Sequence, residues 1–264
     1  MLAAVSDPLV VAHRGGAGTC PENTLDAFVR AHRTGCVLET DVRRSADGVA
    51  VLFHDETLER IGGSRCRVAD LDLADLRRRL RDAGHPLVTA EELLHALPDA
   101  RVVLDVKDPR VVEPLAAVLR GHRGIGRVCA TGCWDRGLAR LRRAVGPGLA
   151  LGLGWGAMAA LATGAAGVVR RGDAQWAFLP TRLATARTID RAHRLGLRVG
   201  VWTVDEPALA QRFVALGADA VTTDRPDRLL PVLHPAAALA AVPVASQVGA
   251  RPTAAPREAD PCTS

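Results

Sequence analysis

Short apolar runs alternate with longer stretches of helical period along most of this chain. Strand-like runs fall at residues 9–12, 37–42, 101–106, 127–131, 149–153, 175–179, 198–203 and 220–223. After the first run, Leu25, Phe28, Val29 and His32 follow helical spacing up to Gly35, a natural C-cap. Further helices are predicted around 74–80 and at 111–120, 135–145, 158–163, 182–195, 207–216 and 226–233. Another opens at Thr89, where Glu92 completes a capping-box pattern, and ends before Pro98. Strands alternating with helices over this length predict an α/β fold, a single (β/α)8 TIM-like barrel. The rival is a doubly wound open sheet, but no G-x-G-x-x-G follows the first strand.

The eight-strand reading treats 49–53 as the return arm of a hairpin on the second strand. Asp47-Gly48 favours a two-residue turn, which would set Val42 opposite Phe53 and Asp41 opposite His54. Glu39, Asp41 and His54 would then share one sheet face. Two carboxylates and an imidazole there suit a metal with a general base; an exposed polar face suits them equally well. The segment between His54 and Leu87 is short, so only a small insertion should cover the mouth.

Composition changes this picture little. With 48% apolar and 24% charged residues among 264, the chain supports a sizeable core, built on Ala, Val and Leu because Tyr is absent and aromatics make up 3%. A net charge of +5 suits an anionic substrate weakly, and no basic tract interleaved with aromatics points to nucleic acid. The N-terminus lacks a signal-peptide pattern and no run is long enough to span a membrane, so the expected location is cytoplasmic, without stable membrane association. The six cysteines form no regular framework and read as reduced thiols, with Cys129 and Cys133 small and half-buried. From Pro235 the chain is rich in Ala and Pro. The expected organisation is a barrel over 1–234 and a disordered tail over 235–264.

In a barrel, side chains at the C-terminal ends of the strands face one mouth. That rule gathers His13-Arg14, Glu39 and Asp41 with His54, Asp105-Val-Lys107, Trp202-Thr-Val-Asp205 and Thr222-Thr-Asp224. A lone strand-end His is more often a loop anchor, and a lone Asp-x-Lys a salt-bridged rim. Together they suit phosphodiester hydrolysis. Glu39, Asp41 and Asp105 offer hard oxygens for Mg²⁺ or Ca²⁺, Arg14 and Lys107 can contact phosphate, and His13 and His54 can serve as acid and base. Zinc is less attractive, since no cysteine stands at these strand ends.

These residues sit in a longer ordered set. His13-Arg14-Gly15, Pro21-Glu22-Asn23-Thr24, Ala27-Phe28, Glu39-Thr-Asp41-Val, Asp47-Gly48, His54-Asp55-x-x-Leu58-x-Arg60, Glu91-Glu92, Leu104-Asp105-Val-Lys107, Val201-Trp202-Thr-Val and Gly217-Ala-Asp219 through Asp224-x-Pro226 occur in that order. The set resembles the glycerophosphodiester phosphodiesterase family over roughly residues 10–230.

The resemblance implies a TIM-like barrel that hydrolyses small-molecule glycerophosphodiesters to sn-glycerol 3-phosphate and an alcohol, with Ca²⁺ or Mg²⁺. It implies metal ligation by Glu39, Asp41 and Asp105, acid and base roles for His13 and His54, phosphate contacts from Arg14 and Lys107, and Trp202 in the pocket wall. Asn23 would brace the first loop. Two departures stand out: the family's third ligand is usually Glu, one methylene longer than Asp105, and Cys133-Trp134 replaces its Ser-Phe. Alternatives from the same residues are a non-catalytic phosphodiester-binding barrel and a phosphodiesterase whose substrate hydroxyl attacks to give a cyclic phosphate.

Overall fold

The computed structural model describes residues 7–235 except 123, 133–134, 166, 168 and 170–172. The expectations for the N-terminal leader, the tail beyond Pro235 and Cys133-Trp134 therefore lie outside the described residues. Eight parallel strands close on themselves: β1 (Leu9–Ala12), β2 (Val37–Arg44), β4 (Val102–Val106), β5 (Val128–Gly132), β6 (Ala150–Gly154), β7 (Trp176–Pro180), β8 (Arg198–Trp202) and β9 (Ala220–Thr223). Closure comes from β1, which pairs with both β9 and β2. The fold is a TIM barrel, and the open-sheet alternative falls with that closure.

Helices α1 (Leu25–Arg33), α4 (Ala90–Ala96), α5 (Val112–Arg120), α6 (Asp135–Val145), α7 (Trp155–Thr163), α8 (Ala186–Arg194), α9 (Pro207–Ala215) and α10 (Pro226–Leu233) alternate with the strands. The capping box on α4 is complete: Thr89 Oγ1 accepts from Glu92 N at 3.2 Å, and Thr89 N donates back to Glu92 Oε2 at 2.9 Å. Helix α7 begins at Trp155, earlier than expected, and α8 begins at Ala186, later than expected. At α8, Thr185 caps the helix by accepting from Thr188 N, and the residues before it form a 3₁₀ turn. No helix among the described residues is long and apolar enough to cross a membrane.

Strand residues alternate between two cores. Outward-facing Val10, Leu38, Leu104, Ala130 and Leu151 pack under the helices, while Leu9, Val11, Val37, Val103 and Cys129 point inward. Two of the few aromatics, Trp176 and Phe178, fill the barrel interior as a stack with ring centroids 5.4 Å apart. Gly200 on β8 makes room for them, since a Cβ there would lie 2.5 Å from the Phe178 ring. The floor of the mouth is therefore packed solid, and polar side chains begin one layer higher.

Three expectations need correction. The hairpin between β2 and β3 (Ala50–Leu52) pairs Val42 with Leu52, one residue out of the expected register. Its loop takes three residues: Ser45 N donates to Val49 O at 3.0 Å, and Gly48 closes the turn at φ 89°. His54 thus lies beyond the paired residues, in a bend, and reaches the mouth by that route. Cys66 is disulfide-bonded, so the reading of every cysteine as a reduced thiol fails there. Cys129 is fully buried rather than half-buried, and burial pushes its thiol up to about 12.

The insertion after β3 holds α2 (Glu59–Gly62) and α3 (Leu73–Asp82). It has a small core of its own, in which Phe53, Leu58, Leu76 and Leu80 are fully buried.

Candidate active site

β2 and β4 run side by side with Asp41 and Asp105 as direct Cα partners. Period-two alternation then puts Glu39, Asp41 and Asp105 on the inner face near the mouth. Each of the three offers a carboxylate oxygen within 4.8 Å of the others. Oxygens bound to one Ca²⁺ at 2.3–2.6 Å can be no more than about 5 Å apart, so this spacing fits a single ion. The shorter side chain of Asp105 still reaches the cluster because its backbone is in register with Asp41. Asp41 is 1% exposed, and its buried Oδ1 accepts no well-formed hydrogen bond, its charged neighbour being the Lys107 ammonium 3.0 Å away. A buried carboxylate oxygen lacking a hydrogen bond is a position that a hard cation would fill.

The loop after β1 supports these acids from the other side. Arg14 adopts φ 51°, and its backbone N donates to Glu39 Oε2 at 2.9 Å. Its guanidinium lies 3.3 Å from Asp41 Oδ2 and donates to Glu22 at 3.1 Å. Asn23, at φ 54° and 1% exposed, donates to Asp41 Oδ2 at 3.2 Å and accepts from Thr40 Oγ1 at 2.7 Å. It holds the Asp41 carboxylate in place, in keeping with a bracing residue.

The charges follow from this packing. Burial, with Asp41 and Asp105 adding to it, raises the Glu39 carboxyl to about 7. Asp41 is lowered despite its burial, because Lys107 and Arg14 stand beside it. Lys107 is likewise raised against burial by Asp105, at 2.5 Å, and by Asp41. Three acids around one point balanced by two cations form a site short of positive charge.

Each histidine is held by a carboxylate through Nδ1. His13 Nδ1 is 2.6 Å from Asp224 Oδ1, with its Nε2 3.9 Å from Glu39 Oε2. Burial disfavours the His13 imidazolium, but Glu39 and Asp224 outweigh it and the pKa is raised. His54 Nδ1 is 2.7 Å from Asp55 Oδ1. Asp55 in turn accepts from Arg60 at 2.6 Å, and Arg60 forks onto Glu22. Trp202 sits at the end of β8 with its indole N–H donating to Phe178 O at 2.9 Å, which fixes the ring over the barrel interior.

All the expected site residues thus stand at one mouth. Asp224, Asp55 and Glu22 were not singled out for roles. Asp224 was visible as a strand-end acid, but its pairing with His13 spans the closure of the barrel between β1 and β9. Its backbone N is itself held by Asp205 Oδ1 at 2.8 Å.

Comparison with known proteins places this geometry. The profile of the glycerophosphoryl diester phosphodiesterase family matches residues 13–140 and 161–228. "Probable glycerophosphodiester phosphodiesterase 2" of Mycobacterium tuberculosis is 35% identical over 238 residues, 85% of this chain and 90% of the relative. A glycerophosphodiester phosphodiesterase of Caldanaerobacter subterraneus is 25% identical over 84% of this chain and 96% of its own length. Among solved structures, an Oleispira antarctica phosphodiesterase in complex with the product sn-glycerol-3-phosphate shares the fold with a TM-score of 0.74. It is 22% identical, over 86% of this chain and 96% of that one. By its residues, its barrel and its relatives, the chain belongs to the glycerophosphoryl diester phosphodiesterase family.

Proposed function

We propose that this chain hydrolyses glycerophosphodiesters to sn-glycerol 3-phosphate and an alcohol at the mouth formed by β1, β2, β4, β8 and β9, with one divalent cation, Ca²⁺ or Mg²⁺. The reading is carried by the convergence of Glu39, Asp41 and Asp105 oxygens within 4.8 Å of one another. Those three would hold the cation, which when bound neutralises phosphate charge. Arg14 and Lys107 add fixed positive charge beside it and orient the remaining phosphate oxygens.

The two histidines supply the proton transfers. With Nδ1 of each held by a carboxylate, Nε2 of each is left for the reaction. One takes the proton of the attacking water and the other gives a proton to the departing alcohol, each contributing on the order of 10²- to 10⁴-fold. Asp224 and Asp55 keep the rings in the orientation that this requires. Burial of Glu39 and Asp41 excludes bulk water from the phosphate side, which strengthens every charge contact there.

The test is release of glycerol 3-phosphate from glycerophosphocholine by the wild type, His13→Ala and His54→Ala, with product identity followed by phosphorus NMR. Each single substitution is expected to lower kcat at least 100-fold, a scale set by general acid-base catalysis. A cyclic phosphate as the end product would transfer the attack to a substrate hydroxyl, and undiminished release by either variant would remove that histidine from the mechanism.

A further inference from the structure

Beside the acidic cluster lies a cleft of about 300 Å³, between the insertion after β3 and the end of β4. Lys107 belongs to both: it lines the cleft, while its ammonium sits against Asp41 and Asp105. Through Lys107 the cleft therefore borders the place where the phosphodiester is bound in the reading above. Its size is at the lower end for small-molecule sites.

The other walls are unusually cationic. Arg43, Arg44, Arg67 and Arg110 line the cleft, against the two carboxylates of Glu56 and Asp108. On the rim, Arg67 pairs with Glu56 at 2.5 Å, both exposed, and exposed Arg110 pairs with half-buried Asp108 at 2.8 Å. The Arg67–Glu56 pair is exposed on both sides and holds weakly, so Arg67 can turn to a ligand, whereas Arg110 forks onto Asp108 with two nitrogens and is held more firmly. Arg43 and Arg44 have no carboxylate within ion-pair distance among the described residues. Arg43 is half-buried, its Nε donates to His54 O at 2.8 Å, and its charge is felt by Glu56, Asp41, Asp108 and Asp55 nearby. The lining thus sets four guanidinium groups against two carboxylates, with Lys107 not counted.

Among the described residues, no aromatic side chain lines the cleft. A quaternary ammonium headgroup such as choline is recognised by aromatic faces, and four arginines repel it. A phosphomonoester is the opposite case, since guanidinium groups bind it by paired N–H donors.

We propose that this cleft is a second anion subsite, selecting glycerophosphodiesters whose alcohol carries a phosphomonoester, such as a phosphorylated polyol. The proposal rests on the phosphodiesterase reading for its substrate and on the cleft alone for its charge preference.

The experiment compares kcat/KM for glycerophosphoinositol 4-phosphate and glycerophosphocholine, in the wild type and in the double variant Arg67→Ala/Arg110→Ala. Both residues are rim side chains outside the acid-base and cation machinery. The wild type is expected to favour the phosphorylated substrate at least tenfold at low salt. The double variant should lose most of that preference while its rate on glycerophosphocholine stays within twofold, and Arg67→Lys/Arg110→Lys should recover part of it. Equal rates on both substrates in the wild type, or an equal fall on both in the variant, overturns the subsite.

A calorimetric titration with inositol 1,4-bisphosphate and inositol 1-phosphate separates the two claims. Tenfold tighter binding of the bisphosphate, lost in the double variant, supports the subsite even if no diester is hydrolysed and the proposed reaction falls. Equal affinities overturn the subsite whatever the enzyme turns over.

Discussion

Gly132 ends β5 at φ +91°, and an added Cβ would lie 1.5 Å from Asp105 Oδ1, 2.7 Å from its Cγ and 3.2 Å from Val106 N. Gly132→Ala therefore does two things. The left-handed backbone costs an L-residue about 1–2 kcal/mol. The methyl also forces the Asp105 carboxylate away, because a carbon and an oxygen rest about 3.3 Å apart or more, so the oxygen must move by nearly 2 Å. Because Cγ at 2.7 Å must also move, the whole carboxylate shifts, which disturbs the 2.5 Å contact of Oδ2 with Lys107 and the placement of Asp105 in the acidic cluster. A misplacement of about 1 Å in a reacting assembly can cost ~10²-fold, so kcat/KM should fall at least that far, with Ca²⁺ or Mg²⁺ affinity.

Gly196→Ala is the matched control, since it has φ +80° with nothing within 4 Å of the new methyl. Both variants should lose roughly 2–8 °C in Tm, the thermal equivalent of the backbone strain for a domain of this size. Only Gly132→Ala should lose activity. Calorimetric metal titration and glycerol 3-phosphate release on both variants settle the matter. Activity in Gly132→Ala within tenfold of the control refutes the claim that Asp105 acts at the position seen here.

Three further outcomes follow from the same contacts. Asp224→Asn removes the charge that orients His13 Nδ1 at 2.6 Å, so kcat should fall at least tenfold with KM within threefold, and the pH profile of kcat should shift; an unchanged profile would detach Asp224 from His13. Phe178→Ala empties half of the aromatic stack inside the barrel and should cost about 3–5 kcal/mol by urea unfolding; a loss under 1 kcal/mol would contradict that packing. Glu22 opposes its own burial and is held below its ordinary 4.5 by Arg60 and Arg14. A lowered acid stabilises above its unfolded pKa and loses that contribution as pH falls through the folded value. Glu22→Gln should thus cost about 1–3 kcal/mol near pH 7. The gap from wild type should close on acidification below pH 4.5, and a gap independent of pH would show that the pairing does not stabilise the fold.

The barrel was legible because its signals are local: β-strand runs and helix caps such as Thr89–Glu92 each lie within a few residues. The acidic cluster was legible too, since strand alternation pairs Glu39 with Asp41 and the barrel rule brings Asp105 to the same mouth. What escaped depends on closure or on turn detail. The hairpin register turned on whether Asp47-Gly48 makes a two- or three-residue loop, and Ser45 decided it by accepting from Val49 N at 2.8 Å with its Oγ. The His13–Asp224 pair joins the first and last strands, which no local pattern brings together. The arginines of the cleft come from β2, the insertion and the segment after β4, and in sequence they read as ordinary solvated charges.

The central claim is that turnover depends on one divalent cation held by Glu39, Asp41 and Asp105. The direct measurement is a titration of EDTA-stripped protein with Ca²⁺ or Mg²⁺, following bound metal and glycerol 3-phosphate release together. One ion per chain should restore activity in proportion to its occupancy, and Asp41→Asn should lose both binding and turnover. Full activity in the stripped protein, or a cation bound as tightly by Asp41→Asn as by the wild type, would contradict it.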